Sequence, residues 1–239
     1  MITQPIGNAW KRQRELKKQD IPEQAQVYNL AKQYDNLMER CLFILTYLTA
    51  GRISEIVHRT WQYKHQYEFY LKEVSRSGTA ITHIWTIKRN QNGSPKIALT
   101  EKFKVDQPGI RKQDIMFTEK DNKQLMIVSI RNLKNKKYIR KNLPIPIHKE
   151  ADFIQPIRDY LDTIQESETE LFSFNRRKAQ TIINKVGLNP HFLRDIRLTH
   201  LITIYDFNTF MLQKWAGWQN ATPAERYVRL GYSDLISKF

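Results

Sequence analysis

The chain has 239 residues, of which 41% are hydrophobic and 11% aromatic, enough apolar material for a buried core and too much for a disordered chain. Its formal net charge of +15 favours a polyanionic partner, with nucleic acid the commonest kind and an anionic membrane the main alternative. The single cysteine, Cys41, excludes an intramolecular disulfide and any zinc site built from cysteines. The longest apolar run is too short to span a membrane, and the N-terminus lacks a signal-peptide pattern. We therefore expect a cytoplasmic, intracellular protein.

The first part of the chain predicts a basic arm followed by helices. Residues 1–22 are rich in lysine and arginine, and Ile21-Pro22 ends the arm because the residue before a proline avoids the helical conformation. Residues 23–60 place apolar side chains at helical spacing, with a break near Ala50-Gly51.

From about residue 66 to 146 the pattern is that of strands. Residues 67–71 and 81–87 alternate and are rich in β-branched and aromatic side chains, and Asn92-Gly93, between two such runs, predicts a hairpin turn. Further strands are predicted at 115–117 and 125–128, joined across Asp121-Asn122, and at 138–147. Helical patterns return at 154–164, 176–186, 191–205, 209–216 and 223–230. The order predicts an α+β domain, mainly helical with a small antiparallel β-sheet.

Four separated segments carry side chains suited to phosphate chemistry. The first contains Gly51-Arg52 followed by Ser54-Glu55, and the second is a lysine-rich turn with Lys134, leading into Leu143-Pro144. The third is His191-Phe192-Leu193-Arg194. The fourth is Gly217-Trp218, with Tyr227 nine positions after the tryptophan.

In this order and spacing the segments resemble the catalytic domain of the tyrosine recombinases, the phage integrase family. The resemblance implies that Tyr227 is the nucleophile and that Lys134 protonates the leaving 5′ oxygen. Two guanidiniums, Arg52 and Arg194, can hold the non-bridging phosphate oxygens with paired donors, and the indole N–H of Trp218 can donate to the same oxygens. His191 is the candidate general base, or the acid of the return step.

The implied function is that of a site-specific recombinase or integrase, from a mobile element, virus or plasmid, that cuts and rejoins DNA through a 3′-phosphotyrosyl intermediate. The reaction would need no metal, nucleotide or other cofactor. The expected partners are double-stranded DNA, in association with the nucleoid, and further copies of the chain. The family implies a tetramer on DNA, while the isolated chain can be monomeric. Two alternatives stay open: a topoisomerase or resolvase with the same chemistry, and a non-catalytic DNA-binding regulator derived from a recombinase.

Basic residues around the candidate lysine are predicted to contact the DNA backbone, which would make binding sensitive to salt. They are Arg131, Lys136, Lys137, Arg140 and Lys141. Alternatively, these basic residues belong to a solvent-exposed hairpin that does not contact DNA.

Residues 23–239 would form the catalytic domain, with a β-rich insertion at about 61–109, since the number of residues between Arg52 and Lys134 exceeds that usual in the family. A second departure is Asp195, which stands where the family commonly has a basic residue.

Each candidate also has an ordinary structural interpretation. Arg52 can pair with Glu55 at i, i+3, and Trp218 can be a core aromatic residue. Tyr227 is one of eleven tyrosines in the chain. The joint order and spacing favour the catalytic interpretation over these separate explanations.

Overall fold

A computed structural model describes residues 21–77, 80–133, 140–225 and 227, with side chains described at all of these except 61–64, 71–77 and 80–85. The backbone divides into two compact units, one of Met1–His58 with Pro108–Phe239 and one of Arg59–Gln107. The second unit overlaps the range 61–109 for which a β-rich insertion is predicted. Most of the basic arm and the predicted residues Lys134, Lys136 and Lys137 lie outside the described residues.

The first unit contains seven helices among its described residues. They are α1 (Gln24–Ala31), α2 (Leu37–Thr49), α3 (Ile53–Ile56), α4 (Ala151–Asp162), α5 (Arg176–Asn184), α6 (Pro190–Thr203) and α7 (Thr209–Ala216). Four of them begin at an asparagine whose side chain accepts a hydrogen bond from the first turn, which satisfies backbone N–H groups that have no helical partner. Residues 222–225 and 227 are helical as well.

Helix α2 is the centre of the core. Its residues from Cys41 to Thr49 are all buried, and it packs against α4, α5 and α6. A helix that is buried all round is expected to be apolar all round, and here the exceptions are Thr46 and Thr49, whose hydroxyls donate to backbone carbonyl oxygens one turn earlier. The helix ends at Ala50, which takes the left-handed conformation with φ of 46°. The break predicted near Ala50-Gly51 is therefore confirmed.

A three-stranded antiparallel sheet joins the helices of the first unit. Its strands are β5 (Ile115–Lys120), β6 (Lys123–Arg131) and β7 (Arg140–Pro146), in the order β5-β6-β7. Asp121 and Asn122 have φ of 52° and 55° and form the two-residue turn between β5 and β6, as predicted. Alternate residues of β6 and β7 are buried, so one face of the sheet packs on the core. The α+β class with a small antiparallel sheet is confirmed.

The second unit consists of two antiparallel pairs. They are β1 (Arg59–Tyr67) with β4 (Ile97–Gln107), and β2 (Phe69–Ser77) with β3 (Ala80–Ile87). The turn at Asn92-Gly93 is present, closed by a bridge between Arg89 and Pro95. The longer strands on either side of this turn, β3 and β4, pair with β2 and β1 instead of with each other. The helical pattern predicted up to residue 60 is too long, because β1 begins at Arg59.

Among the described residues, no helix combines the length and the apolar character that crossing a bilayer requires.

Candidate active site

Arg52 lies at the start of α3, where a buried carboxylate holds it. Its backbone N–H donates to Glu55 Oε2 and its Nη1 to Glu55 Oε1, both at 2.9 Å. The Glu55 side chain is fully buried, whereas the Arg52 side chain keeps 22% of its surface exposed. The i, i+3 pair of the structural interpretation is thus present, and it still leaves part of the Arg52 guanidinium facing solvent.

Gly51 allows the sharp turn before Arg52. A Cβ built there would lie 2.8 Å from Thr49 Oγ1 and 3.1 Å from Ile56 Cδ1. The motif glycine is therefore required by close packing between the end of α2 and α3.

Arg194 is held at the C-terminal ends of two helices. The side chain is 6% exposed, and its guanidinium donates to the carbonyl oxygens of Ala50, at the end of α2, and Ala216, at the end of α7. The C-terminus of a helix carries a partial negative charge, so both contacts stabilise a cation. Burial, and then the charge of Arg52, lowers the pKa of Arg194, yet an arginine stays protonated.

Tyr227 lies in a stack beside Arg194. Its ring is 5.9 Å from that of Trp218, at an interplanar angle of 16°, and Arg194 Cζ lies 5.8 Å from the centre of the Trp218 ring. Gly217 makes this position of Trp218 possible. It ends α7 with φ of 71°, and a Cβ there would lie 2.8 Å from Asn132 Nδ2.

The hydroxyl of Tyr227 donates a hydrogen bond to Asp195 Oδ1. Tyr227 is only 6% exposed in this arrangement. Asp195 is the residue that departs from the family pattern, and no role was predicted for it from the sequence. A carboxylate that accepts the bond of a tyrosine hydroxyl is suited to receive its proton.

His191 stands at the exposed start of α6, one turn before Asp195. Partial burial lowers the pKa of His191, the charge of Asp195 opposes this, and nearby arginines act in the same direction as burial. The imidazole is therefore neutral over most of the physiological range, the form that can accept a proton.

The predicted DNA-binding residues of the sheet occupy different positions. Arg140 is exposed and donates to Ser129, while its Nη2 pairs with Asp114 at 2.5 Å. Arg131 lies opposite Arg140 at the end of β6. Lys141 instead points to the core face of β7, where its Nζ donates to the carbonyl oxygen of Trp215 at 2.9 Å. Burial lowers the pKa of Lys141 to about 7, opposed by the charge of Glu55.

Glu55 connects these groups. Burial raises its pKa, but the charges of Lys141, Arg52 and Arg194 outweigh burial, so that the pKa of Glu55 is lowered. Its Oε1 also accepts from the backbone N–H of Leu133, directly before the segment that contains Lys134. Arg52, Arg194, Trp218 and Tyr227 thus lie in one cluster with Glu55, a residue of the first motif. Asp195 and Lys141 belong to it as well, although the sequence gives no catalytic place to Asp195 and predicts Lys141 only as a DNA contact.

No protein-family model matches this sequence, and no curated protein matches it. Among solved structures, the chain is similar to the XerH site-specific recombinase bound to difH substrate in a pre-cleavage complex. The TM-score is 0.47 and the sequence identity 12%, over 93% of this chain and 52% of the other. A post-cleavage complex of the same recombinase with palindromic difH substrate gives a TM-score of 0.46 and 11% identity, over 90% and 50%. The chain therefore spans about half the length of the structures it matches.

Proposed function

We propose that this protein cuts and rejoins DNA strands as a tyrosine recombinase, with Tyr227 as the nucleophile. The observation that carries the proposal is the hydroxyl of Tyr227, bonded to Asp195 and placed in one site with Arg52 and Arg194. A tyrosine hydroxyl beside a carboxylate and two guanidiniums combines a nucleophile, a proton acceptor and a binding site for a phosphodiester.

The two arginines supply the charge that the reaction needs. Attack on a phosphodiester creates a transition state with additional negative charge on the non-bridging oxygens. Arg52 is partly exposed, and Arg194 is fixed by the carbonyl oxygens of two helix ends. Donors fixed in advance lose little energy to reorganisation, and one such donor typically contributes about 10²–10³ in rate.

The proton and bond changes balance without a cofactor. The oxygen of Tyr227 attacks phosphorus and its proton passes to Asp195, with His191 as the alternative acceptor. The bond from phosphorus to the 5′ oxygen breaks, and Lys134 is the proposed donor of the proton to that oxygen. The products are a 3′-phosphotyrosine and a free 5′ hydroxyl, and the reverse sequence rejoins the strand.

Tyr227 must leave its stack before it can attack. The ring is 6% exposed and lies parallel to Trp218, so the resting arrangement keeps the hydroxyl away from a phosphate in solution. We expect DNA bound at the arginines to open the stack between Trp218 and Tyr227, so that the tyrosine hydroxyl reaches the phosphate while it keeps its hydrogen bond to Asp195. The proposed partners are double-stranded DNA, contacted by Arg131, Lys136, Lys137 and Arg140, and other copies of this chain in a tetramer.

Covalent trapping on nicked DNA tests the proposal. The substrates are a library of duplexes that carry a nick close to the cleavage position, so that the cleaved fragment diffuses away and the strand cannot be rejoined. The protein is incubated with them in EDTA, without nucleotide, and is then run on a denaturing gel. Tyr227→Phe removes the nucleophile. Tyr70→Phe is the matched control, since Tyr70 is an exposed tyrosine of the second unit.

A covalent protein–DNA band in the wild type and Tyr70→Phe, absent from Tyr227→Phe, is the expected result. A band that persists in Tyr227→Phe would rule out this nucleophile. DNA binding without an adduct on any substrate would favour the non-catalytic DNA-binding regulator. Relaxation of a plain supercoiled plasmid would favour the topoisomerase alternative within the same chemistry.

A further inference from the structure

Lys141 occupies a position that its basic neighbours do not share. Arg140, Asn142 and Pro144 of β7 are exposed, whereas Leu143 and Ile145 are buried, so Lys141 lies on the core side of the strand by alternation. Across the sheet it pairs with Ile130, which is fully buried. A lysine in such a place is not a surface contact for the DNA backbone.

Its ammonium group is directed at the site. Nζ donates to the carbonyl oxygen of Trp215, one residue before Ala216, whose carbonyl accepts from Arg194. Two basic side chains thus donate to adjacent carbonyl oxygens in the last turn of α7, where the helix dipole favours positive charge. Lys141 and Arg194 therefore share one anchoring turn.

Lys141 has more positively than negatively charged side chains around it. Glu55 on α3 favours its protonated form, while Arg52 before α3 and Arg194 on α6 disfavour it. From α7 it receives the Trp215 carbonyl, and from β6 it faces the apolar Ile130. Three basic side chains, Lys141, Arg52 and Arg194, thus act on Glu55, and Asp195 near Arg194 is the second carboxylate, which leaves one positive charge in excess when Lys141 is protonated. A partly buried cluster with this imbalance is stabilised by an anion.

We propose that Lys141 is a positioning residue of the phosphate site, which takes up its proton as a DNA phosphate binds to Arg52 and Arg194, and so completes the positive charge of the site. The inference rests on the proposed function, because the anion is taken to be a phosphodiester. A bound phosphate adds negative charge beside Lys141 and favours its protonated form. The low pKa of the lysine in the free protein, about 7, places this uptake near neutral pH.

The consequence is a pH-dependent affinity. Above about pH 7 Lys141 is mostly neutral in the free protein and protonated in the complex, so that binding takes up one proton. The association constant for DNA then falls by up to about tenfold for each further pH unit. A phosphodiester keeps a single negative charge through this range, so the DNA itself does not produce the change. His191 titrates below its usual value and contributes at the acid end, equally in all variants that keep it.

The test compares three side chains at position 141 in a Tyr227→Phe background, which prevents cleavage. Binding of a fluorescein-labelled duplex is measured by anisotropy at constant low ionic strength, from about pH 6.5 to 8.5, the range around the lysine pKa. Lys141→Arg keeps the charge at all these pH values, and Lys141→Met removes it. Lys214→Met, at an exposed lysine of α7, is the matched control for losing one positive charge.

We expect the wild type and Lys214→Met to lose affinity as the pH rises. Lys141→Arg should stay near the acid-limit affinity, and Lys141→Met should bind weakly with little change. The same pH slope in Lys141→Met as in the wild type would overturn the inference while leaving the proposed function intact. Should Lys141→Met not fold, a wild-type slope in Lys141→Arg would overturn it equally. Absence of DNA binding by the wild type would overturn the proposed function itself.

Discussion

The burial of His200 leads us to expect that the stability of the protein depends on pH. It lies on α6, 5% exposed, with Nε2 at 2.9 Å from the carbonyl oxygen of Pro22 and Nδ1 at 2.7 Å from the hydroxyl of Tyr47. Because a carbonyl only accepts, Nε2 carries the proton and Nδ1 accepts from Tyr47 in the neutral ring. Burial lowers the pKa of His200 to about 4, and the charge of Arg197 acts in the same direction.

The magnitude follows from linkage. A folded-state pKa of about 4, against about 6.5 in the unfolded chain, corresponds to roughly 3 kcal/mol of stability. The unfolded chain binds the proton more readily, so this contribution is complete above pH 6.5 and is lost as the pH falls towards 4. We therefore expect the free energy of unfolding to decrease by about 3 kcal/mol over this window through His200 alone.

Urea denaturation at a series of pH values between about 7 and 4 measures this effect. His200→Gln keeps a donor for Pro22 but does not titrate, so it should lose that part of the pH dependence. The matched control is His148→Gln, at an exposed histidine, which should retain the wild-type profile. An equal decline in the wild type and His200→Gln would refute the reasoning.

Three further substitutions test the packing and the site. Glu150→Ala leaves a fully buried arginine without its carboxylate and should cost about 3–5 kcal/mol of unfolding free energy in urea; a loss under about 1 kcal/mol would contradict this. Gly217→Ala should destabilise the protein more than Gly93→Ala. Both glycines have positive φ, but only at Gly217 does an added Cβ meet a side chain, that of Asn132. Equal urea midpoints of the two variants would count against this contact. Asp195→Asn should slow adduct formation by about 10²–10⁴ at unchanged DNA affinity, and an unaltered rate would exclude Asp195 as proton acceptor.

The local features of the fold were predictable, because each depends on a few neighbouring residues. Asp121-Asn122 forms a two-residue turn since both residues tolerate positive φ, and the end of α2 falls at Ala50 beside a glycine. The pairing of β1 with β4 was not predictable. It joins residues such as Arg59 and Gln107 that are far apart in the chain, and turn chemistry does not specify such a partner.

The residues of the site likewise include some that the sequence predicts and some that only the structure reveals. The family motifs pointed to Arg52, Arg194, Trp218 and Tyr227, and the structure brings these four together. Asp195 stood out only as a departure, because its bond to Tyr227 depends on how the last helical segment lies against α6. The core-facing position of Lys141 could be inferred from its alternation with Leu143 and Ile145, once the register of β7 was known. The catalytic roles of the four motif residues, and those of His191 and Lys134, stay predictions.

The last turn of α7 holds its cations through main-chain oxygens. Lys141 and Arg194 bind the carbonyls of Trp215 and Ala216, and these oxygens are present whatever side chain the two residues carry. Substitutions there can accumulate without removing either acceptor, provided the turn keeps its path. A change in chain length is different: one residue inserted in α7 before Trp215 would rotate both oxygens together by about 100° around the helix axis. The geometry of this site is therefore robust to changes in side-chain identity and sensitive to insertions and deletions.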